Sequence, residues 1–394
     1  MNKNRTIKTL WLCSWFPNHQ APYLGNFVKR QFEAVSSYSD VAAMFVTEWD
    51  GIDEIKIEIN NENGLLTFIG YVPKTTNMPL KLWRYLTAYW QLYKRLRGQW
   101  GKPNLVHLNT VYPAGLFCLL LYFWQRLPFV ISEHSSIYRP ERQLYKGFIL
   151  KTITSMCIKR AKAVLVLSNY NANIMRNIRK LHNSNYLTMP NIVDTIIFNL
   201  RQQTPKTPQT IFTFIHVSYL FDPIKNGSGI LRAIAQLSKI RTDFVFKIVG
   251  DETEQPPFIK LSEELDILNK FVTFSPEIPY EDIALQMQKA DAFVLFSNVE
   301  GLPCVILEAM ATGLPVIATE TGGISEWITP ETGILLNIGD ETRLVEAMSY
   351  MIDNHHNYDP SVIRSKIIEK CSVDVVGKAI VSVYEEVLRD KCRK

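Results

Sequence analysis

Residues 291–327, DAFVLFSNVEGLPCVILEAMATGLPVIATETGGISEW, hold two strand–loop–helix units in direct succession. The apolar run 292–296 reads as a buried strand that leads into Glu300-Gly301-Leu302-Pro303, with a helix expected from Cys304 onward. A second apolar run, 316–318, leads into Thr321-Gly322-Gly323, with another helix expected near Ile324. Uninterrupted apolar strands of this kind belong to parallel sheets covered by helices on both faces. Both loops then sit at the carboxyl ends of strands, where open α/β sheets place ligands. Two helix N-termini would aim unsatisfied N–H groups into one crevice, suited to a phosphate or pyrophosphate. Glycines there let a ligand approach the backbone closely.

The same rhythm runs along the whole chain. In the front half, strands are expected at 7–14, 40–46, 105–109, 129–132 and 163–168, and helices at 26–35, 79–97 and 145–160. It breaks at 199–210 (NLRQQTPKTPQT), a polar stretch with Pro205 and Pro208 that reads as a linker. It then resumes with strands at 211–217, 244–249 and 271–274 and helices at 227–237, 283–289, 304–311 and 343–352. The expected fold class is α/β, with two Rossmann-like βαβ domains, 1–198 and 211–375, facing each other across a deep cleft. Residues 376–394 are expected as a C-terminal helix packing back on the first domain. The length of 394 residues fits two such domains at about 100–200 residues each. A cleft between them is the default ligand site.

Composition excludes several classes. With 47% apolar and 21% charged residues the chain is not disordered. Cys13, Cys118, Cys157, Cys304, Cys371 and Cys392 are widely spaced without a C-x-x-C pair, which argues against a disulfide scaffold or zinc site and for a reduced, cytoplasmic setting. Lys3, Arg5 and Lys8 precede only a short apolar run and Pro17, so no signal peptide is expected. The apolar stretch 115–124 is about half the length needed to span a bilayer and reads as a buried helix.

Glu300 and Glu308 form a Glu-x7-Glu pair around the first helix start. Alone, that spacing fits one surface and one core-facing carboxylate. Set between two strand–loop units ending in glycines, it fits a site in which carboxylates receive sugar or ribose hydroxyls. In this setting residues 300–326 resemble the donor site of the retaining glycosyltransferases of family 4, which have the GT-B fold. The matching positions are Glu300, Gly301, Glu308, Ala309, Met310, Ala311, Gly313, Pro315, Val316, Gly322, Gly323 and Glu326. The resemblance extends to 214–225 (FIHVSYLFDPIK), 246–251 (FKIVGD), 189–198 (MPNIVDTIIF), 14–31 (SWFPNHQAPYLGNFVKRQ) and Glu133-His134. It implies that Glu300 holds donor-sugar hydroxyls, Glu308 holds the nucleotide ribose, and Lys225 neutralises the diphosphate. Gly301, Leu302, Pro303, Cys304 and Gly250 would line the donor site. Gly25 would let the front loop approach the diphosphate, and His134 would face the sugar. A lone histidine after a strand is more often structural; its family position favours a functional role. The family's G-R-L triplet appears here as Ser218-Tyr219-Leu220, and its paired front glycines as Gly25-Asn26, so one expected cation is missing.

The implied activity is retaining transfer of a sugar from a UDP- or GDP-sugar to a glycan or lipid-linked acceptor, in cell-surface polysaccharide biosynthesis. No cofactor and no metal are expected, since the chain has no D-x-D. A hydrolase is disfavoured by the lack of G-x-S-x-G. Alternatives are an epimerase on the same fold, or a non-catalytic binder of sugar nucleotides or nucleic acid. Carboxylates in a phosphate-facing crevice argue against nucleic acid as a partner. Charge is uneven: through residue 200 there are 24 Lys and Arg against 11 Asp and Glu, and no acidic residue lies between Glu62 and Glu133. Trp83, Trp90, Lys94, Arg95 and Arg97, on the helix expected at 79–97, are read as an acceptor-side or anionic-membrane contact, which would put the enzyme at the inner face of the cytoplasmic membrane. Trp100 is expected to join this belt of interfacial aromatics, and Lys74 and Lys81 to belong to its cations without a compensating carboxylate.

Overall fold

A computed structural model describes residues 7–62, 64–200, 211–250, 253 and 255–392. The predicted linker lies outside the described residues from 201 to 210. The chain divides into two compact units, Met1–Ile192 with Val373–Lys394, and Val193–Ser372.

The first unit runs β1 (Lys8–Cys13), α1 (Asn26–Ser36), β2 (Asp40–Trp49), β3 (Lys56–Glu62), β4 (Leu65–Pro73), α2 (Met78–Gln99) and β5 (Leu105–Asn109). It continues with α3 (Gly115–Gln125), β6 (Phe129–Glu133), α4 (Phe148–Arg160), β7 (Val164–Val166), α5 (Asn169–Asn173) and β8 (Tyr186–Thr188). The sheet order is β3-β4-β2-β1-β5-β6-β7-β8, parallel except for β3 with β4. That hairpin was not expected, because KIEINNE is polar and pairs only at the sheet edge. Residues of α2, α3 and α4 form the core on one face, with Tyr89 stacked on Phe117 at 5.2 Å. Residues of α1 form the core on the other.

The second unit runs β9 (Phe212–Val217), α6 (Asp222–Lys225), α7 (Gly227–Leu237), β10 (Phe244–Val249), α8 (Pro256–Glu264), β11 (Val272–Ser275) and α9 (Tyr280–Lys289). Then follow β12 (Ala292–Leu295), α10 (Cys304–Ala311), β13 (Val316–Thr319), β14 (Gly333–Leu336), α11 (Glu341–Asn354) and α12 (Pro360–Cys371). Its sheet is wholly parallel in the order β11-β10-β9-β12-β13-β14, the doubly wound arrangement. The last helix, α13 (Val373–Cys392), belongs to the first unit. It packs on α1 where Gly377 meets the Ala34 carbonyl; a Cβ there would come within 2.9 Å of that oxygen.

Division at Ile192, six residues before the expected domain end, has a local cause. Val193 donates its N–H to Cys371 of α12 and bridges Ser372. The Arg364 guanidinium on α12 donates to the carbonyls of Thr195, at 2.7 Å, and Phe198. Residues 193–200 are thereby tied to α12. Among the described residues no helix is long and apolar enough to cross a membrane. The apolar α3 buries only one side: Leu120, Phe123 and Trp124 are exposed.

Candidate functional site

Strand order in the second unit reverses between β9 and β12, and at such a switch point the loops leaving the two strands part and open a crevice. Lys225 closes the short α6 after β9, and Glu300 lies in the loop after β12. The Lys225 Nζ donates to Glu300 Oε1 at 2.6 Å, and both side chains are buried. The ring of Tyr219 lies 5.4 Å from the same ammonium, so the residue in place of the family's arginine touches the cation that remains.

Three loops hold this pair. The Asn298 N–H donates to the Ile224 carbonyl at 2.7 Å and its side-chain amide donates to the Asp222 carbonyl, fixing α6 against the loop after β12. The Asp222 carboxylate accepts from the Ser228 N–H and hydroxyl at the start of α7. From the loop after β13, Thr321 Oγ1 accepts the Glu300 N–H at 3.3 Å, and the Gly323 N–H donates to the Gly301 carbonyl at 2.7 Å. The two loops read from the sequence as neighbours are joined directly.

Pro303 precedes α10 without a side-chain cap, Leu302 is buried, and Cys304, half-buried, begins the helix. Glu308 is buried on α10, and its Oε1 accepts from the Tyr280 hydroxyl at 3.0 Å. The helix expected near Ile324 is a single 3₁₀ turn, Ile324–Glu326. Pro330 follows too closely for an α-helix, because the residue before a proline avoids helical geometry. Of the two helices expected to start here, only α10 is an α-helix. Gly250 has a packing reason of its own: a Cβ there would fall 2.0 Å from the Ser218 carbonyl oxygen, blocking the loop after β9.

The other expected site residues lie in the first unit. Its sheet switches direction between β1 and β5, and Gly25 ends the loop after β1. Gly25 has φ +71°, and a Cβ would lie 2.8 Å from the Trp15 carbonyl carbon, so only glycine fits. His134 follows β6. Both its ring nitrogens are buried without a hydrogen-bond partner, and Phe27 lies against the ring at 4.9 Å. Burial lowers its pKa to about 4, so the ring is neutral near pH 7. By contrast His107 is held between the Tyr384 and Ser132 hydroxyls, and His216 between the Val294 carbonyl and the Ser218 hydroxyl, as structural residues.

On α2, Trp83, Lys94, Arg95 and Arg97 are exposed, while Trp90 is half-buried against Trp124 at 5.2 Å with Lys94 over its ring. Two expectations change. Trp100 is buried and donates to Asp40, so it does not belong to a surface belt. Lys74 and Lys81 find Asp50 and Glu48 from outside the acid-free window. Lys94, Arg95 and Arg97 have no carboxylate partner among the described residues.

Sequence reasoning missed Tyr280 and the bond Thr321 makes to Glu300, and it marked Tyr219 only as the residue in place of an expected cation, not as a contact of Lys225. Thr321 is next to the paired glycines and could have been found there; Tyr280 carries no local signal.

With this geometry in hand, the comparisons are specific. The family described as Glycosyl transferases group 1 matches residues 198–366, and the one described as Glycosyltransferase Family 4 matches residues 44–196. One relative is the GDP-mannose-dependent monoacylated alpha-(1-6)-phosphatidylinositol monomannoside mannosyltransferase of Corynebacterium glutamicum, 30% identical over 34% of this chain and 36% of its own length. Another is the MMP alpha-(1->4)-mannosyltransferase of Mycolicibacterium hassiacum, 23% identical over 85% of this chain and 80% of its own length. For the first and two further curated relatives the match spans 36% to 55% of their lengths. Among solved structures, sucrose-phosphate synthase of Thermosynechococcus elongatus superposes with a TM-score of 0.76 at 18% identity, over 97% of this chain and 100% of that one.

Proposed function

Because this chain belongs to glycosyltransferase family 4 and has the GT-B fold, we propose that it moves a sugar from a UDP- or GDP-sugar to a glycan or lipid-linked acceptor, with retention at the anomeric carbon. The observation that carries this reading is the buried Lys225–Glu300 pair at the switch point of the second sheet, with Glu308 on the helix that follows. An ammonium has three N–H donors, and Glu300 Oε1 uses one. Lys225 can therefore hold Glu300 and still give hydrogen bonds to diphosphate oxygens. Glu300 keeps its other oxygen for sugar hydroxyls, and Glu308 accepts from the ribose.

In the reaction the acceptor hydroxyl oxygen bonds to the anomeric carbon as the bond from that carbon to the diphosphate breaks. The hydroxyl proton passes to the leaving phosphate oxygen, and the nucleoside diphosphate departs. Charge builds on that oxygen, and the preorganised Lys225 and the N-terminus of α10 stabilise it. His134, neutral and without a protein partner, is available to a sugar hydroxyl. The name of the Corynebacterium relative supports a GDP-sugar and a lipid acceptor. The basic, aromatic surface of α2 and α3 supports peripheral contact with an anionic membrane, and with it a role in cell-surface glycan assembly.

The test is release of nucleoside diphosphate from a panel of UDP- and GDP-sugars, with and without lipid-linked acceptors. Acceptor-dependent release supports the reading. No release and no thermal protection by any sugar nucleotide would refute it.

A further inference from the structure

The first unit contains a cavity of about 660 Å³ that the donor chemistry leaves unused. It lies within the size range of small-molecule sites, and its walls are mostly carbon. Leu82, Tyr85 and Leu86 of α2, Phe117 of α3, and Leu150 and Ile153 of α4 line it. Ser14 and Thr110, directly after β1 and β5, line it as well, at the switch point of this sheet. Thr110 is 3% exposed and takes φ +61°, a strained backbone for a β-branched residue. Its hydroxyl is buried without a hydrogen-bond partner. Such a group costs free energy unless something supplies the missing bond.

The rim has the opposite character. Met78 on the first turn of α2, Ile149 on the first turn of α4, and Leu82 all line the cavity, yet are 61%, 68% and 44% exposed. Beside them Phe148 is 83% exposed, flanked by exposed Lys146 and Lys151. A pocket for a free sugar would have a polar, wet rim. Here an apolar rim, with exposed Lys146 and Lys151 next to it in sequence, leads through a mostly apolar interior to the Thr110 hydroxyl.

We propose that this cavity holds the hydrocarbon chain of a membrane-lipid acceptor, with the lipid's polar end at the Thr110 hydroxyl. The proposal rests on the glycosyl-transfer reading for the word acceptor; the lipid site itself does not. The exposed Lys146 and Lys151, flanking Phe148 and Ile149 in sequence, fit the anionic surface from which such a lipid comes. An apolar rim is tolerable when a bilayer, not water, covers it.

The experiment uses the full chain and pyrenedodecanoic acid below its aggregation concentration, with no vesicles present, so that surface adsorption cannot stand in for binding. Pyrene fluorescence should report saturable one-to-one binding. Ile153→Trp, which fills the cavity, should weaken it about tenfold or more. Leu82→Arg, on the exposed rim where folding is not at stake, should also weaken it. Thermal protection by UDP- and GDP-sugars should be the same in wild type and both variants. Absence of saturable binding, or binding that both variants retain at wild-type strength, overturns the proposal. So does a concentration-dependent dimer of the wild type that Leu82→Arg dissolves, since a second copy would then cover the rim. Failure of every sugar nucleotide to protect, with fatty-acid binding intact, would instead overturn the transfer reading and leave the lipid site standing.

Discussion

Lys225 Nζ and Glu300 Oε1 lie 2.6 Å apart although 75 residues separate them in sequence. The pair ties the loop after β9 to the loop after β12 at the point where the sheet changes direction. A buried ion pair stabilises little against an apolar replacement of both partners, but removing one partner leaves an uncompensated charge. Lys225→Met should therefore cost about 3 kcal/mol or more of stability. Adding Glu300→Gln should recover much of that loss, since the amide carries no charge. Activity should stay lost in the double variant. Thermal unfolding beside steady-state rates for the two single variants and the double separates these effects; additive stability losses would mean the pair is not coupled.

Glu300 and Glu308 should fail differently. If Glu300 aligns the sugar, Glu300→Gln lowers kcat, and if Glu308 holds the ribose, Glu308→Gln raises the donor KM. Tyr280→Phe frees the Glu308 carboxylate from its hydroxyl partner and should shift donor KM in the same direction by a smaller factor. Initial rates across donor concentration decide this, and unchanged kcat/KM in both carboxylate variants contradicts the donor-site assignment.

Acid should weaken the fold before it protonates ordinary carboxylates. Burial lowers the pKa of His107 to about 3 and those of His134 and His216 to about 4, from an ordinary 6.5. As pH falls below 6.5 the unfolded chain takes up these protons and the folded chain does not, so stability declines down to about pH 4 on account of His134 and His216 and to about pH 3 on account of His107. Each histidine contributes about 1.4 kcal/mol per pH unit over that interval. Buried Glu133, whose pKa is raised by desolvation, acts in the opposite sense. Thermal midpoints between pH 7.5 and 4.5 should fall, and less steeply in His216→Gln. A flat profile contradicts the assignment of neutral buried rings.

Among the described residues no three His, Cys, Asp or Glu side chains converge on a metal-sized site. If Lys225 and the start of α10 neutralise the diphosphate, transfer should persist in excess EDTA. A rate lost to chelator and restored by Mg²⁺ or Mn²⁺ would show that charge neutralisation lies elsewhere.

What the sequence made legible was whatever depends on near neighbours. Apolar runs such as 292–296 and 316–318 marked the inner strands, and the Glu300-to-Glu308 stretch marked a helix start. What it hid depends on distance or on edges. β3 looks like a loop because an edge strand need not be apolar. The turn at Ile324 looked helical until Pro330 is weighed. Tyr280 reaches Glu308 across 28 residues, and the bond between Gly323 and Gly301 has no signature in either segment. The cavity between α2 and α4 was equally invisible, because its apolar residues also satisfy an ordinary core.

The surface of α2 and α3 supplies the last expectation. Trp90 packs on Trp124 at 5.2 Å, Lys94 lies over Trp90 at 5.5 Å, and Arg160 lies over Phe123 at 5.1 Å. Trp83, Phe123 and Trp124 remain more than half exposed. Exposed tryptophans beside cations are the composition of membrane–water interfaces. Lys94, Arg95 and Arg97 have no carboxylate to satisfy them among the described residues, so a negatively charged surface can engage all three. At about 1 kcal/mol for each cation near an anionic leaflet, three give reversible adsorption that salt weakens. In flotation, the protein should rise with anionic vesicles at low salt, stay behind with neutral ones, and be released at high salt. Changing Lys94, Arg95 and Arg97 together to Glu should abolish flotation, and Trp124→Ala should reduce it while leaving the salt dependence. Wild-type protein that ignores anionic vesicles, or a triple variant that still floats, contradicts the membrane contact.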